Sequence, residues 1–133
     1  MSFLDYNLDD VPELNAKEDG EYELRITDAE IKLNENANST WFGSDMLIVR
    51  FEHIEDPNAQ DVTKVFRLPP KDMNEKEANK LLRQLKYFTS AFGISNMANV
   101  DDLVGATGWA MLKVTESEQY GEQNEVVRFV TGS

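Results

Sequence analysis

Five stretches of this chain alternate apolar and polar residues with a period of two, and one stretch repeats at three and four residues. Few architectures accept that mixture. The first stretch, EYELRITDAEIKL, sets Tyr22, Leu24 and Ile26 against Glu23, Arg25 and Thr27, the pattern of a half-buried strand. Its phase then moves to Ala29 and Ile31, so a bulge or bend is expected near Asp28. DMLIVRFEHI puts Leu47, Val49 and Phe51 on one face and Met46, Ile48, Arg50 and Glu52 on the other. VTKVFRLPP reads as a third strand, reached through the turn EDPNAQD and stopped by Pro69 and Pro70. GWAMLKVTE and NEVVRFV complete the set, joined by the polar loop SEQYGEQ.

The helical stretch lies between the third and fourth strands. In NEKEANKLLRQLKYFTSAFG, Ala78, Leu81, Leu82, Leu85, Phe88 and Phe92 recur at helical steps. Asn74 with Glu77 resembles a capping box, Gly93 is a good left-handed stop, and VDDLVG fits one more helical turn. The order β-β-β-α-β-β, without internal repeat or linker, is that of an OB-fold, an all-β, five-stranded Greek-key barrel with one main helix. A split α+β sheet covered by one helix would give the same string, and stays open as the structural alternative. Residues 20–133 make this domain. Residues 1–19 read as an acidic N-terminal arm, extended and pinned to the body by Phe3, Tyr6, Leu8, Val11 and Leu14.

Composition narrows the function classes. An apolar fraction of 41% with 10% aromatic residues supports a folded core, and the absence of cysteine fits a reducing cytoplasm. No apolar run is long enough to span a bilayer, and the acidic N-terminus lacks the basic region of a signal peptide, so no membrane partner is expected. The formal charge is −12, but ten of the acidic groups fall in residues 1–30 against Lys17 and Arg25. The remaining 103 residues carry only −4, which leaves room for a basic groove. No enzyme is expected. His53 is the only histidine, which denies a histidine metal site or a Ser-His-Asp triad, and no Gly-rich phosphate loop occurs. DPNAQD has oxygen ligands without the EF-hand spacing and reads as a surface turn. No cofactor and no metal are expected.

Wrapped on a barrel, the strands would expose cations and rings together. With Leu47, Val49 and Phe51 inward, Met46, Ile48 and Arg50 face out; Phe66 and Leu68 inward leave Val65 and Arg67 outward, with Lys64 near the rim. Ala110, Leu112 and Val114 inward leave Trp109, Met111 and Lys113 outward. Trp41 and Phe42 stand side by side in the polar loop ENANSTWFGSD, and Tyr120 in the loop between the last two strands. In OB-folds those two loops flank the binding face on strands two and three. Single-stranded nucleic acid needs this mixture, cations for its backbone and ring faces for its bases. The candidate DNA-binding residues are therefore Trp41, Phe42, Arg50, Lys64, Arg67, Trp109, Lys113 and Tyr120. Against this, either loop ring could plug the barrel end, Trp109 could cap the core, and Arg50 and Arg67 could pair with Glu52 or Asp61. Lys76, Lys80 and Arg83 line the polar side of the helix and read as a solvated face.

The chain resembles a bacteriophage family of OB-fold single-stranded-DNA-binding proteins, formerly a domain of unknown function. The features that carry the resemblance are the acidic arm, Gly20-Glu21-Tyr22 leading to Asp28-Ala29-Glu30, the Met46-to-Phe51 strand, and the Leu81-to-Gly93 helix end. Asp102-Leu103-Val104-Gly105 and Asn124-Glu125-Val126 complete it over nearly the whole chain. The resemblance implies phage DNA replication or recombination in the cytoplasm of an infected bacterium, with cooperative assembly on exposed strands. Many single-strand binders end in an acidic tail that recruits partners; this chain ends Arg128-Phe129-Val130-Thr131-Gly132-Ser133, which leaves the N-terminal arm to recruit replication or recombination proteins. The rival reading is an acidic protein-interaction module that mimics DNA and occupies a host nucleic-acid-binding protein. A hydrolase is a distant third.

Overall fold

Period-two alternation becomes five strands and the three-and-four repeat becomes one helix. The computed structural model describes residue 9 and residues 13–33, 35, 44–70, 72–95, 99–119 and 121–131. The elements are β1 (Gly20–Leu33), β2 (Asp45–His53), β3 (Val62–Arg67), α1 (Glu75–Ala91), β4 (Thr107–Ser117) and β5 (Gly121–Val130). A short 3-10 turn at Val100–Leu103 stands between α1 and β4, where VDDLVG allowed one.

β1 is the spine. Its first half pairs with β4 from Gly20 to Arg25 and most of its length pairs with β2, both antiparallel. The register on β2 shifts between Ile26 and Asp28, the bulge expected from the phase change, and it returns Ala29 to the core face opposite Val49. With β3 on β2 and β5 on β4, the sheet order is β3-β2-β1-β4-β5. A flat sheet would hold the outer two strands about 19 Å apart, four spacings of about 4.8 Å. Instead, Cα atoms of β3 and β5 come within 8 Å, and Phe66 stacks on Phe129 with centroids 5.9 Å apart. The sheet therefore curls until its edges meet through side chains. It is barrel-like but not closed, because no strand pairing joins β3 to β5 among the described residues.

α1 fills the end of this curl. Phe88 lies 5.0 Å from Phe66, 5.2 Å from Phe92 and 5.2 Å from Phe129, ring to ring, and Phe51 packs 6.0 Å away. Leu24, Ile26, Val49, Phe51, Val62, Phe88, Leu103 and Ala110 are wholly inaccessible to solvent. Asn74 caps the helix, its side chain accepting the Lys76 N–H at 2.8 Å. At the other end Gly93 takes φ 65°, and the Gly93 and Ile94 N–H groups return to the Ser90 and Thr89 carbonyls. That is the paired bonding of a Schellman stop, and only glycine adopts the turn without strain.

Several expectations need correcting. Leu82 is 46% exposed, because Leu85, Phe88 and Phe92 set a buried stripe narrower than the repeat implied. Ile31 and Leu33 keep the core-face phase but are exposed, because β4 flanks β1 only as far as Arg25. Val114 is also exposed, one step beyond the last core residue of β4, Leu112. The strands reach into the SEQYGEQ stretch, pairing out to Ser117 with Gly121.

Leu14 does not pin the arm: it is 57% exposed. Residues 13–19 are held by polar bonds instead. The Asn124 side chain accepts from the Lys17 N–H and donates to the Lys17 carbonyl, each at 2.7 Å. Lys17 pairs with Asp56 at 2.9 Å, Asp19 accepts the Val114 N–H at 2.7 Å, and Asn15 bridges to Ala59. Phe3, Tyr6, Leu8 and Val11 lie outside the described residues.

Candidate nucleic-acid interface on the outer face of the sheet

Cross-strand partners share a face, so the register assigns the outer surface residue by residue. Arg25 stands opposite Glu52, Asp28 opposite Arg50, Glu30 opposite Ile48 and Lys32 opposite Met46. β3 continues the rows, with Thr63 beside Arg50, Val65 beside Ile48 and Arg67 beside Met46. On the far side, Glu23 faces Trp109 and Glu21 faces Met111. β5 adds Val130 beside Trp109, Arg128 beside Met111 and Glu125 beside Lys113.

Trp109 is 41% exposed, on the outer face beside its register partners Glu23 and Val130, so it does not cap the core. Arg50 is exposed and makes no ion pair among the described residues. The pairing considered for it with Glu52 does not form: Glu52 takes Arg25, at 2.9 Å. Arg67 is half-buried and donates from Nη1 to Sδ of its cross-strand partner Met46 at 3.9 Å, which directs its guanidinium across to β2. Val65, 40% exposed, and half-buried Ile48 supply the apolar ground between the two arginines. Lys113 lies 3.8 Å from Glu125, an exposed pair worth at most about 1 kcal/mol, so its ammonium stays exchangeable.

Lys64 stands elsewhere. It pairs with Val49 and falls between Val62 and Phe66, which places it on the inner face of β3, half-buried, with Nζ 5.9 Å from the centre of the Phe66 ring. It does not share a face with Arg50 and Arg67. Trp41, Phe42 and Tyr120 lie outside the described residues. On α1, Lys76, Lys80 and Arg83 are exposed, and Lys80 pairs with Glu77 at 3.3 Å.

The outer face also holds three cations that the sequence reading passed over. Arg25 and Lys32 were legible from the alternation of the first strand. Arg128 was not. Val126 and Arg128 have the same parity, yet a register shift opposite Met111 and Leu112 turns Val126 inward and Arg128 outward. With them, the face carries Arg25, Lys32, Arg50, Arg67, Lys113 and Arg128 against Glu21, Glu23, Asp28, Glu30, Glu52 and Glu125. It is electrically balanced, on a molecule whose charge is −12.

The remaining polar features belong to the arm clasp. His53 is 7% exposed, its ring set edge-on to Tyr22 at 5.2 Å, and its Nε2 has no hydrogen-bond partner among the described residues. Burial, then the nearby Lys17 ammonium, lower its pKa from the ordinary 6.5. Asp56, in the turn before β3, accepts from Lys17 Nζ and from the Asn58 N–H, both at 2.9 Å, and these bonds pull its carboxyl below the usual range. Among the described residues no cluster of three His, Cys, Asp or Glu side chains could hold a metal ion. No protein-family model matches the chain, and no curated protein matches it.

Proposed function

We propose that the chain is a sequence-tolerant single-stranded-DNA-binding protein with an OB-type barrel, acting in phage DNA replication or recombination in the host cytoplasm. One observation carries this reading: an exposed indole, Trp109, and Arg50, a guanidinium with no ion pair among the described residues, lie on one charge-neutral sheet face of a strongly acidic chain. Neutrality matters because phosphates approach only where the local field permits, whatever the net charge. Rings then stack bases, at about 1–3 kcal/mol each, and cations hold the backbone. The OB-fold is a partly open five-stranded barrel that binds across strands two and three. The near-closed sheet here, with its helix between β3 and β4, supports that assignment. Arg50, Arg67 and Lys113 are the proposed phosphate contacts and Trp109 the proposed platform. Trp41, Phe42 and Tyr120 remain proposed stacking residues on the strength of their place in the sequence. The acidic arm is proposed to recruit replication or recombination proteins, and copies to assemble along the strand. No helix among the described residues is long and apolar enough to cross a membrane.

The test is binding of labelled oligo-dT across a salt series. Each lost phosphate contact should reduce the slope of log K against log salt by about 0.7. Arg50→Ala should show that reduction, whereas a slope unchanged in both Arg50→Ala and Arg67→Ala would place the site elsewhere.

The exposed carboxylates Glu116 and Glu118 at the end of β4, with Asp9-Asp10 in the arm sequence, favour the rival reading of a DNA mimic. That reading predicts no shift of labelled single strands and retention of a basic, nucleic-acid-binding host protein.

A further inference from the structure

Lys64, displaced from the outer face, leads to a second feature. Between β3, α1 and β5 a groove of about 210 Å³ opens, lined by Lys64 of β3, Gln84 and Tyr87 of α1, and residues 126–129 of β5. Among the described residues, no carboxylate lines it. Tyr87 is 52% exposed and Val127 57%, so an aromatic ring and an isopropyl group face solvent at its mouth. Neither Lys64 nor Arg128 makes an ion pair among the described residues. Arg128 belongs to both surfaces, since it stands beside Met111 on the outer face and also lines the groove.

An added peptide strand fits poorly here. Inserting one between β5 and β3 needs two strand spacings, about 9.6 Å, and their Cα atoms already approach within 8 Å. A splayed nucleotide needs no ladder. It needs a cation for the phosphate, a ring face for the base and an amide for the base edge, which Lys64, Tyr87 and Gln84 supply.

We propose that this groove is a second nucleotide-binding patch, reached by the same DNA strand after it crosses the edge of β5 at Arg128. The proposal rests on the single-strand-binding reading above and extends it from one face of the sheet to two.

The experiment compares labelled oligo-dT of about five and about fifteen nucleotides, lengths within the range such folds cover. Binding is measured by anisotropy to the wild type, Trp109→Ala, Tyr87→Ala and Lys64→Glu, with circular dichroism confirming that each variant folds. Trp109→Ala should weaken both probes. Tyr87→Ala and Lys64→Glu should weaken the long probe by about fivefold or more and leave the short one unchanged. Groove variants that bind the long probe like wild type, while Trp109→Ala does not, would overturn the groove and spare the outer face. Equal loss on both probes would overturn it as a second patch. No effect from any variant would bring down both readings. A hexaglutamate peptide that binds wild type but not Lys64→Glu, with oligo-dT indifferent to the groove, would assign it to an acidic protein partner instead.

Discussion

Gly108→Ala should destabilise the protein measurably, and the reason is steric. Gly108 faces inward on β4 opposite Leu24, where the end of α1 seats against the strand. A Cβ built there would lie 2.7 Å from the Ala91 carbonyl oxygen and 2.7 and 2.8 Å from two Phe92 ring atoms. Neither neighbour yields easily. The carbonyl is helix backbone, and Phe92 is 4% exposed, wedged between Phe51, Phe88 and Phe129. Overpacking of this kind costs about 1–3 kcal/mol. With an unfolding entropy of about 2.1 cal/mol/K per residue, a chain of 133 residues loses about 7 °C of Tm for a cost of about 2 kcal/mol. Differential scanning calorimetry would read it. Trp109, the next residue, points the opposite way, so oligo-dT binding well below Tm should change little. A variant with the wild-type Tm would refute the seating of the helix end on β4.

Two other outcomes concern the arm and its surroundings, and a third the stop of α1. Asn124→Ala removes both bonds to the Lys17 backbone, and hydrogen exchange over residues 13–19 should quicken while the amides of β1 stay protected; unchanged exchange would mean that the Lys17–Asp56, Asp19–Val114 and Asn15–Ala59 contacts hold the arm without Asn124. His53 has a folded pKa below its ordinary 6.5, so the unfolded chain binds its proton first. Stability should therefore rise with pH through the window just below 6.5, and His53→Phe should flatten the urea-denaturation profile there; a wild type already flat in that window would contradict the burial argument. Gly93→Ala, at φ 65°, should cost about 1 kcal/mol or more by straining the helix stop, seen as a lower urea midpoint.

Much of the fold was legible because half-buried strands and amphipathic helices imprint their periods on the sequence. The bulge in β1 showed as a phase change at Asp28, and the helix stop as Gly93. The errors fall where a side chain's surroundings come from elsewhere in the chain. Lys64 has the parity of Val62 and Phe66, but its charge suggested a place near the rim; its ammonium stands 5.9 Å from the centre of the Phe66 ring, its neighbour two residues on along the inner face of β3. Arg128 was hidden by a bulge with no glycine or proline to mark it. The arm was expected to dock by apolar side chains, yet residues 13–19 dock through Asn124, Asp56 and backbone groups, partnerships that span 39 residues to Asp56 and 107 to Asn124 and leave no local pattern. Of the candidate site, Arg50, Arg67, Trp109 and Lys113 stand on the expected face because strand parity sufficed for them.

The most direct test is Trp109 emission in a Trp41→Phe variant, where it is the remaining indole of the two in the chain. Titration with oligo-dT should quench and saturate that emission, and the midpoint should move to higher oligonucleotide concentration as salt is raised. Emission that stays constant through the titration, at low salt and at protein concentrations well above a micromolar affinity, would contradict the account.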